Sequence, residues 1–329
     1  MKTWSSIRQM RQELLEDILV TIGNFDGVHL GHRNLLDSVI KDATKNSWFS
    51  LAVTFREHTS AFFRHKTPLL MTLDERCEFF AALGLKGCLV LDFTRDLASL
   101  TPENFLLLLK EWGARGIIVG HDFRFGAGAA GGTGDILTFC RRHGLLGRVI
   151  PPVKVNGEIV SSSRIRRLLQ AGRVTEAGAM LDRSYRITGE VVHGAHRGRR
   201  LGFPTANLDI PRGRLLPGYG VYLVRVFLGE RRYFGLANIG IRPTFPGQNP
   251  EMEIYLFDTC EDLYHKTLHV DFLSFIRKEQ KFSSPAELVA QMKRDQETAR
   301  RLLILNNGDG THISNFSPCL SNYIPQKNV

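Results

Sequence analysis

Two histidines three residues apart, His29 and His32, sit in the run Thr21-Ile-Gly-Asn-Phe-Asp-Gly-Val-His-Leu-Gly-His32. At that spacing two imidazoles share one face of a helical turn. Both can donate hydrogen bonds to phosphate oxygens and stabilise charge on phosphorus and its leaving group. The run follows apolar Ile18-Leu-Val, which reads as a buried strand, and precedes Leu35-Leu-Asp-Ser-Val-Ile40, which reads as the apolar face of a helix. A strand, a glycine-punctuated loop and a helix start make an anion site, because unpaired backbone N–H groups and the positive end of the helix dipole point into the loop. The glycine-to-lysine spacing of a Walker loop is absent. A tight turn with two surface histidines would carry the same letters, so the pair needs company.

Three further segments supply it. Thr54-Phe-Arg-Glu-His58 and Gly120-His-Asp-Phe-Arg-Phe-Gly126 each follow an apolar strand-like run. Ser161-Ser-Ser-Arg-Ile-Arg166 reads as a helix start capped by serines, with Arg164 and Arg166 diverging so that one of them faces the site. Capping hydroxyls, a helix N-terminus and an arginine form a triphosphate clamp; an ordinary capped surface helix is the bland alternative.

In the second half, chemistry gathers in Gly194-Ala-His-Arg-Gly-Arg-Arg-Leu-Gly-Phe-Pro-Thr-Ala-Asn207. Gly198 and Gly202 let backbone approach a ligand, and the arginines suit phosphates. Thr205 and Asn207 present a hydroxyl and an amide oxygen on one face if the piece is extended, and such hard oxygens suit a magnesium ion that also bridges phosphates. Glu253 falls among apolar neighbours, where a carboxylate could take the proton from a hydroxyl attacking a γ-phosphate. A solvent-facing strand glutamate is the competing reading.

The elements that must position these groups alternate in the first half. Trp48–Phe55, Gly87–Asp92, Gly116–Gly120 and Gly147–Ile150 join the run at Ile18 as strands. Helices are expected over Leu73–Leu83, over Pro102–Trp112 with Thr101 as N-cap, and over Asp135–His143. Alternation of this kind gives an α/β domain with a parallel sheet, whose ligands bind beyond the carboxyl ends of the strands. Three polar loops fall on that edge. Past Leu181-Asp-Arg-Ser184 the helical pattern stops. Short runs at Tyr185–Val192, Gly220–Phe227, Tyr233–Asn238, Glu251–Phe257 and Thr267–Leu273 argue for a small antiparallel barrel. A long terminal helix from Pro285 to Leu303 follows, capped by Ser283 or Ser284, with Leu288, Met292 and Ala299 on its apolar stripe. Residues from 305 onward read as a solvated tail.

Length and composition set the frame. A chain of 329 residues holds about two domains, and 43% hydrophobic with 23% charged residues is the composition of a globular protein. No apolar run approaches the roughly 20 residues that span a bilayer, and no secretory signal is visible, so no membrane partner is expected. Five scattered cysteines (77, 88, 140, 260, 319) without a Cys-x-x-Cys pair point to a reducing compartment, the cytoplasm by default. The net charge of +10 invites a nucleic-acid reading. Its clusters are short and dispersed, as in a protein that binds several polyphosphates.

Ile22–His32, Asp122-Phe-Arg-Phe-Gly126 and Ser161–Arg166 together resemble the FMN adenylyltransferase module of the bifunctional prokaryotic riboflavin kinase/FAD synthetase family. Gly202-Phe-Pro-Thr-Ala-Asn207, Leu216–Tyr222, Ala237–Thr244, Asp262-Leu-Tyr264 and Phe275–Phe282 resemble its riboflavin kinase module, in the family's order. The resemblance implies a Rossmann-like nucleotidylyltransferase domain with a parallel sheet over residues 1–182. It also implies a six-stranded antiparallel Greek-key β-barrel with a terminal helix over 183–304, with 305–329 as tail. It implies that riboflavin is phosphorylated by ATP with Mg2+ to FMN, and FMN is adenylylated to FAD with release of pyrophosphate, the flavins being substrate and product. Carried over residue by residue, His29 and His32 stabilise the transferring α-phosphate, and Ser162, Ser163 and Arg166, with Arg164 beside them, hold the β- and γ-phosphates. Gly23, Phe25, Asp26, His58, Asp122 and Phe123 lie by nucleotide or flavin. Thr205 and Asn207 become metal and phosphate ligands, with Gly198 and Gly202 in the same segment. Glu253 becomes the general base, and Arg277 lies in a loop that closes over the flavin. A monomer or weak homo-oligomer without a nucleic-acid partner is expected.

Two departures stand out. The second loop reads Thr54-Phe-Arg-Glu-His-Thr59 where the family has Thr-Phe-(Asp/Glu)-Pro-His-Pro, so it should be less rigid. Ala127-Gly-Ala-Ala-Gly-Gly-Thr-Gly134 replaces a short basic turn and suggests a mobile flap. They keep open a kinase with a weakened first module. An adenylyltransferase for another acceptor, such as pantetheine phosphate or nicotinamide mononucleotide, would leave the second half unexplained. An RNA-binding barrel with a degenerate nucleotide domain lacks aromatic stacking rows.

Overall fold

The computed structural model describes residues 1–63, 67–193, 203–240, 251–259 and 261–308. By internal contacts the chain divides into two compact units, 1–162 and 163–329.

The first unit is built on a six-stranded parallel sheet in the order β1-β4-β3-β2-β5-β6. The strands are β1 (Lys2–Trp4), β2 (Ile18–Ile22), β3 (Phe49–Phe55), β4 (Gly87–Leu91), β5 (Ala114–Gly120) and β6 (Leu146–Ile150). β2, β3 and β4 are buried at every residue, as expected of strands covered on both faces. The helices are α1 (Ile7–Glu13), α2 (Leu30–Lys45), α3 (Leu73–Ala82), α4 (Arg95–Ser99), α5 (Pro102–Glu111) and α6 (Thr133–His143). Two apolar clusters form the core. One gathers Trp4, Ile18, Val20, Leu51, Leu109 and Ile117; the other gathers Leu19, Leu36, Val39, Ala52, Phe80 and Ile118. Neighbouring strand residues such as Leu19 and Val20 fall in different clusters because successive side chains point to opposite faces. Thr101 caps α5 with Pro102 in its first turn, and Thr72 and Glu75 form a reciprocal capping box on α3. The unit ends in a two-stranded hairpin, β7 (Lys154–Val155) and β8 (Glu158–Ile159).

Strand order places the site. β2 pairs with β3 on one side and with β5 on the other. The chain therefore runs outward through β3 and β4, then returns past β2 to build β5 and β6. The crevice beyond the carboxyl ends of β2 and β5 is thus the topological switch point where such sheets bind ligands. The histidine motif leaves β2 there, and residues 121–126 leave β5 there.

The second unit opens with α7 (Ser162–Gln170), whose first residue is the last of the first unit, and α8 (Val174–Leu181). A closed barrel follows, β9 (Tyr185–Val192), β10 (Ala206–Asp209), β11 (Gly220–Leu228), β12 (Arg231–Gly240), β13 (Glu251–Leu256) and β14 (Thr267–Arg277). All its pairings are antiparallel, in the order β10-β13-β12-β11-β14-β9. β11, β12 and β13 are consecutive neighbours and β14 returns beside β11, which is the Greek-key arrangement. Val224, Ile239, Met252, Ile254, Val270 and Phe272 are at most 1% exposed. Outside the barrel, Val221, Leu223, Leu236 and Phe257 pack with Ala299 of the terminal helix α9 (Pro285–Gly308). Ser284 accepts from Glu287 N at 3.2 Å, which makes it the cap. α9 runs three residues beyond 305, into the stretch expected as tail.

Several elements carried no expectation from the sequence, among them β1, α1, α4, β7, β8 and α8, and β10 was expected to be extended only as a condition on Thr205 and Asn207. The expected flap at 127–134 is a closed turn. Phe125 and Gly131 exchange backbone hydrogen bonds at 3.2 and 2.9 Å, Ala127 N donates to Leu100 O at 2.7 Å, and the Asp135 carboxylate accepts from Gly132 N at 2.8 Å. Within the run a Cβ on Gly131 would stand 2.8 Å from the Phe125 ring, whereas Gly128 and Gly134 have open space around them; just before it, Gly126 is crowded by backbone. A Cβ on Gly126 would stand 2.9 Å from Pro102 N.

Candidate active sites

In the first unit the chain between β2 and α2 turns sharply. Phe25, Gly27 and Val28 take positive φ angles of 48°, 85° and 35°. Glycine adopts this conformation freely; a phenylalanine and a β-branched valine do so at a cost, and such strain collects at functional sites. Both side chains are buried, Phe25 edge-on to Phe80 at 5.3 Å, so packing holds the turn. His29 is then the N-cap of α2, and its Nδ1 accepts from His32 N at 3.2 Å. An imidazole that accepts at Nδ1 carries its neutral-state proton on Nε2, which leaves that N–H as a donor. The His32 ring stacks on that of His29, 3.7 Å between centroids and 13° from parallel, and meets Phe25 edge-on at 5.3 Å. Gly31 permits the stack, since a Cβ there would lie 3.2 Å from the His29 ring. The two imidazoles thus lie at a helix N-terminus, where the dipole is positive.

Asp26 is 1% exposed and its carboxylate turns inward. It accepts from Leu70 N at 2.9 and 3.1 Å and from Met71 N at 3.2 Å. The Asp26 carbonyl accepts from the Ser162 hydroxyl at 2.8 Å. Asp26 thus ties the motif to residues 70–71, and Ser162 to the motif. Beside it lies buried Arg76, whose guanidinium donates to Thr54 Oγ1 at 2.7 Å and Phe55 O at 3.1 Å. Burial lowers the Arg76 pKa, and the Asp26 charge opposes that shift.

The second loop is hydrogen-bonded to the histidine motif. The Asn24 carboxamide donates to Thr59 Oγ1 and accepts from Thr59 N, both at 3.0 Å. His58 Nδ1 lies 2.8 Å from Ser60 Oγ and accepts from Ser60 N at 3.2 Å, which again leaves an Nε2–H donor in the neutral ring. Phe62 and Phe63, 39% and 60% exposed, meet Phe93 at 5.4 and 6.2 Å in an aromatic cluster that continues to Phe55. Beyond β5, Asp122 is exposed next to His121, and Phe123 stacks on Phe125 at 5.7 Å. Gly23 N donates to Val53 O at 3.1 Å, joining the motif to β3.

Ser163, Arg164 and Arg166 lie in the second unit, on α7. Ser163 is exposed, and the half-buried arginines flank buried Ile165.

On the barrel, strand register builds a polar row. Asn207 of β10 stands opposite Glu253 of β13, which stands opposite Asn238 of β12. Directly opposed residues on one face have Cβ atoms about 4.5–5.5 Å apart. Met252 and Ile254, on either side of Glu253, point into the core at 0% and 1% exposure, so Glu253 faces outward, half-buried. Thr205, half-buried, immediately precedes β10. Phe203 packs on Tyr255 at 5.1 Å, walling the row on one side. The resemblance puts Arg277 in a loop; here it is the last residue of β14. Its guanidinium is held by the Asp295 carboxylate at 2.9–3.0 Å and lies over the Phe282 ring at 5.8 Å. Gly198 and Gly202 lie outside the described residues. Asn24, Thr59, the three phenylalanines and Asn238 were not singled out by sequence reasoning. Asn24, Thr59 and Asn238 lay within quoted segments, Ile22–His32, Thr54–Thr59 and Ala237–Thr244, without a role of their own; the phenylalanines carried no signal.

A parallel sheet with a histidine pair at its switch point, and a Greek-key barrel with a carboxylate between two asparagines, define a two-module enzyme of nucleotidyl and phosphoryl transfer. The FAD synthetase family profile matches residues 11–164 and the riboflavin kinase profile residues 181–303. The chain belongs to the bifunctional riboflavin kinase/FMN adenylyltransferase family. It is 38% identical to the member of that name from Escherichia coli K12 over 91% of this chain and 97% of that one. It is 35% identical to the one from Pseudomonas fluorescens over 86% and 92%. A crystal structure from Streptococcus pneumoniae titled macrolide-efflux protein shares 32% identity and a TM-score of 0.82, over 91% of this chain and 99% of that one. Among the described residues no helix is long and apolar enough to cross a membrane.

Proposed function

We infer that the chain makes both flavin cofactors. The barrel phosphorylates riboflavin with ATP to give FMN, and the parallel-sheet unit joins FMN to AMP from ATP, giving FAD and pyrophosphate. What supports this reading is two separate polar arrangements, the His29–His32 stack and the Asn207–Glu253–Asn238 row, each suited to handling phosphate.

In the barrel, Glu253 takes the proton from the terminal ribityl hydroxyl as its oxygen attacks the γ-phosphorus; the O–P bond forms and the β,γ-bridge breaks to release ADP. The Thr205 hydroxyl and Asn207 amide oxygen are the hard donors for Mg2+. Among the described residues no group of three or more His, Cys, Asp or Glu side chains could hold a metal alone, which fits an ion that arrives on the nucleotide. Mg2+ supplies charge neutralisation on the phosphates. In the other unit an FMN phosphate oxygen attacks the α-phosphorus and the α,β-bridge breaks. His29 and His32 donate to the α-phosphate oxygens, and Ser162, Ser163 and Arg166, with Arg164, hold the leaving pyrophosphate. Asp26 positions the motif, while His58, Asp122, Phe123 and the aromatic edge at Phe62 and Phe63 line the flavin and nucleotide side. We assign adenylyl transfer to residues 1–182 and phosphorylation to 183–304. We read the protein as a cytoplasmic monomer or weak homo-oligomer with no nucleic-acid or membrane partner. A kinase with a weakened first module is disfavoured, since both altered loops are closed by hydrogen bonds.

Purified protein given riboflavin, ATP and Mg2+ will yield FMN and FAD on chromatography. Glu253→Ala will abolish FMN formation and spare FAD formation from supplied FMN. His32→Ala will do the reverse, each by about 10²–10⁴-fold. Equal damage to both steps by both substitutions would overturn the two-site assignment.

A further inference from the structure

We propose that Asn24 is a positioning residue for adenylyl transfer, whose carboxamide locks the loop bearing His58, Phe62 and Phe63 onto the histidine motif. The inference rests on the reading above that this loop receives the flavin.

Asn24 lies between Gly23, bonded to Val53 O, and Phe25, whose φ of 48° is set by a buried ring. Its backbone is therefore fixed on both sides. Thr54 Oγ1 sits 3.4 Å from Asn24 O, and Thr54 is itself held by buried Arg76 at 2.7 Å. From that anchor the side chain grips Thr59 twice, as donor to the hydroxyl and acceptor from the backbone N–H. Thr59 opens the 3-10 turn Thr59–Phe63, which ends in the two exposed phenylalanines. The chain runs from Arg76 through Thr54 and Asn24 to Thr59, and so ties to the histidine motif a loop that is also held by Arg56 N on Leu91 O at 2.9 Å, by the Ser60–Thr67 hydroxyl pair at 2.8 Å and by the exposed Arg56–Asp92 pair. Exposed pairs of that kind fix little. A flat aromatic ligand laid on Phe62 and Phe63 needs their rings in place before it arrives, or binding pays for ordering them. A carboxamide is suited to the task because it offers both a donor and an acceptor.

The test is steady-state FAD formation from FMN and ATP, with riboflavin phosphorylation measured in parallel. Asn24→Ala loses both contacts, and KM for FMN is expected to rise about tenfold, the equivalent of two ordinary hydrogen bonds. KM for ATP and kcat should stay within about twofold. Asn24→Asp can still accept from the Thr59 N–H and hydroxyl, and should return KM for FMN to within about threefold of wild type. Thr59→Ala, which removes only the hydroxyl and keeps the N–H, should raise KM for FMN about threefold. An unchanged KM for FMN in Asn24→Ala would overturn the proposal. So would a parallel rise for ATP and FMN with a fall in melting temperature, which marks a merely structural role. Wild-type protein that makes FMN but never FAD would instead sink the adenylyl-transfer reading itself.

Discussion

Replacing Asp26 by alanine should cost the first unit a large part of its stability and abolish FAD synthesis. The carboxylate is 1% exposed and receives two backbone N–H groups, Leu70 at 2.9 and 3.1 Å and Met71 at 3.2 Å. Alanine leaves both donors buried without their charged acceptor. Hydrogen bonds to charged groups contribute about 1.5–3 kcal/mol each, so the loss is about 3–6 kcal/mol. Arg76, also buried, loses the charge that offsets its desolvation, which adds to the same side. Against a domain stability of about 5–15 kcal/mol this is a substantial fraction. At about 2–4 °C per kcal/mol for a domain of this size, it amounts to a fall of about 6–24 °C in the midpoint. Asp26→Asn separates the contributions. Its remaining oxygen can keep Met71 and the 2.9 Å contact to Leu70, but its NH2 replaces an acceptor 3.1 Å from Leu70 N, so an intermediate loss of about 1–3 kcal/mol is expected. The assay is residual FAD and FMN synthesis after graded heating, with calorimetry to locate the transition. A loss below about 1 kcal/mol in Asp26→Ala would refute the reasoning, because it would mean that residues 70–71 are not held by this carboxylate.

Glu261 links Lys266, Tyr233 and Arg231 on the barrel, and those hydrogen bonds, Lys266 first, hold its carboxyl well below the ordinary 4.5, at about 2. A depressed carboxyl stabilises fully above its ordinary pKa and loses that contribution as pH falls toward its folded value. Glu261→Gln should therefore flatten the fall in barrel melting temperature between about pH 4.5 and 2, and an unchanged acid limb would contradict it. Among thiols, a hydrogen bond from Cys88 and the nearby Arg76 charge draw Cys77 down, whereas Cys88 is pushed up and burial raises Cys140 to about 11. Iodoacetamide at pH 8 should alkylate Cys77 in the native protein and reach Cys88 and Cys140 only after denaturation, as read by peptide mapping.

What the sequence concealed is consistent in kind. Phe49–Phe55 and Gly87–Leu91 are apolar at nearly every position, and a strand buried on both faces announces itself in that way. Lys2–Trp4 has one buried residue in three and becomes a strand only because β4 lies alongside it, with Lys2 opposite Gly87 and Trp4 opposite Leu89. Ala206–Asp209 is four residues long and owes its extension to β9 and β13 on either side. Helix α1 buries Met10 alone, too little for a periodic signal. The site divides along the same line. His29 and His32 were legible because their spacing is local, and the stack follows from one helical turn. The inward aim of Asp26 and the grip of Asn24 on Thr59 depend on residues 44 and 35 positions away in sequence, and no window contains them.

The altered second loop shows why this distinction matters for function. Losing prolines reads as losing rigidity, since proline limits the unfolded chain. Yet a proline at 59 has no N–H, and the Thr59 N–H is what Asn24 accepts at 3.0 Å. The same substitution that frees the backbone locally also creates the donor that ties it down at long range. In this chain the start of the loop is held by a tertiary hydrogen bond, and it is therefore sensitive to a single distant side chain. That sensitivity is where the proposed substitution at Asn24 would act, with the stacked His29 and His32 left in place.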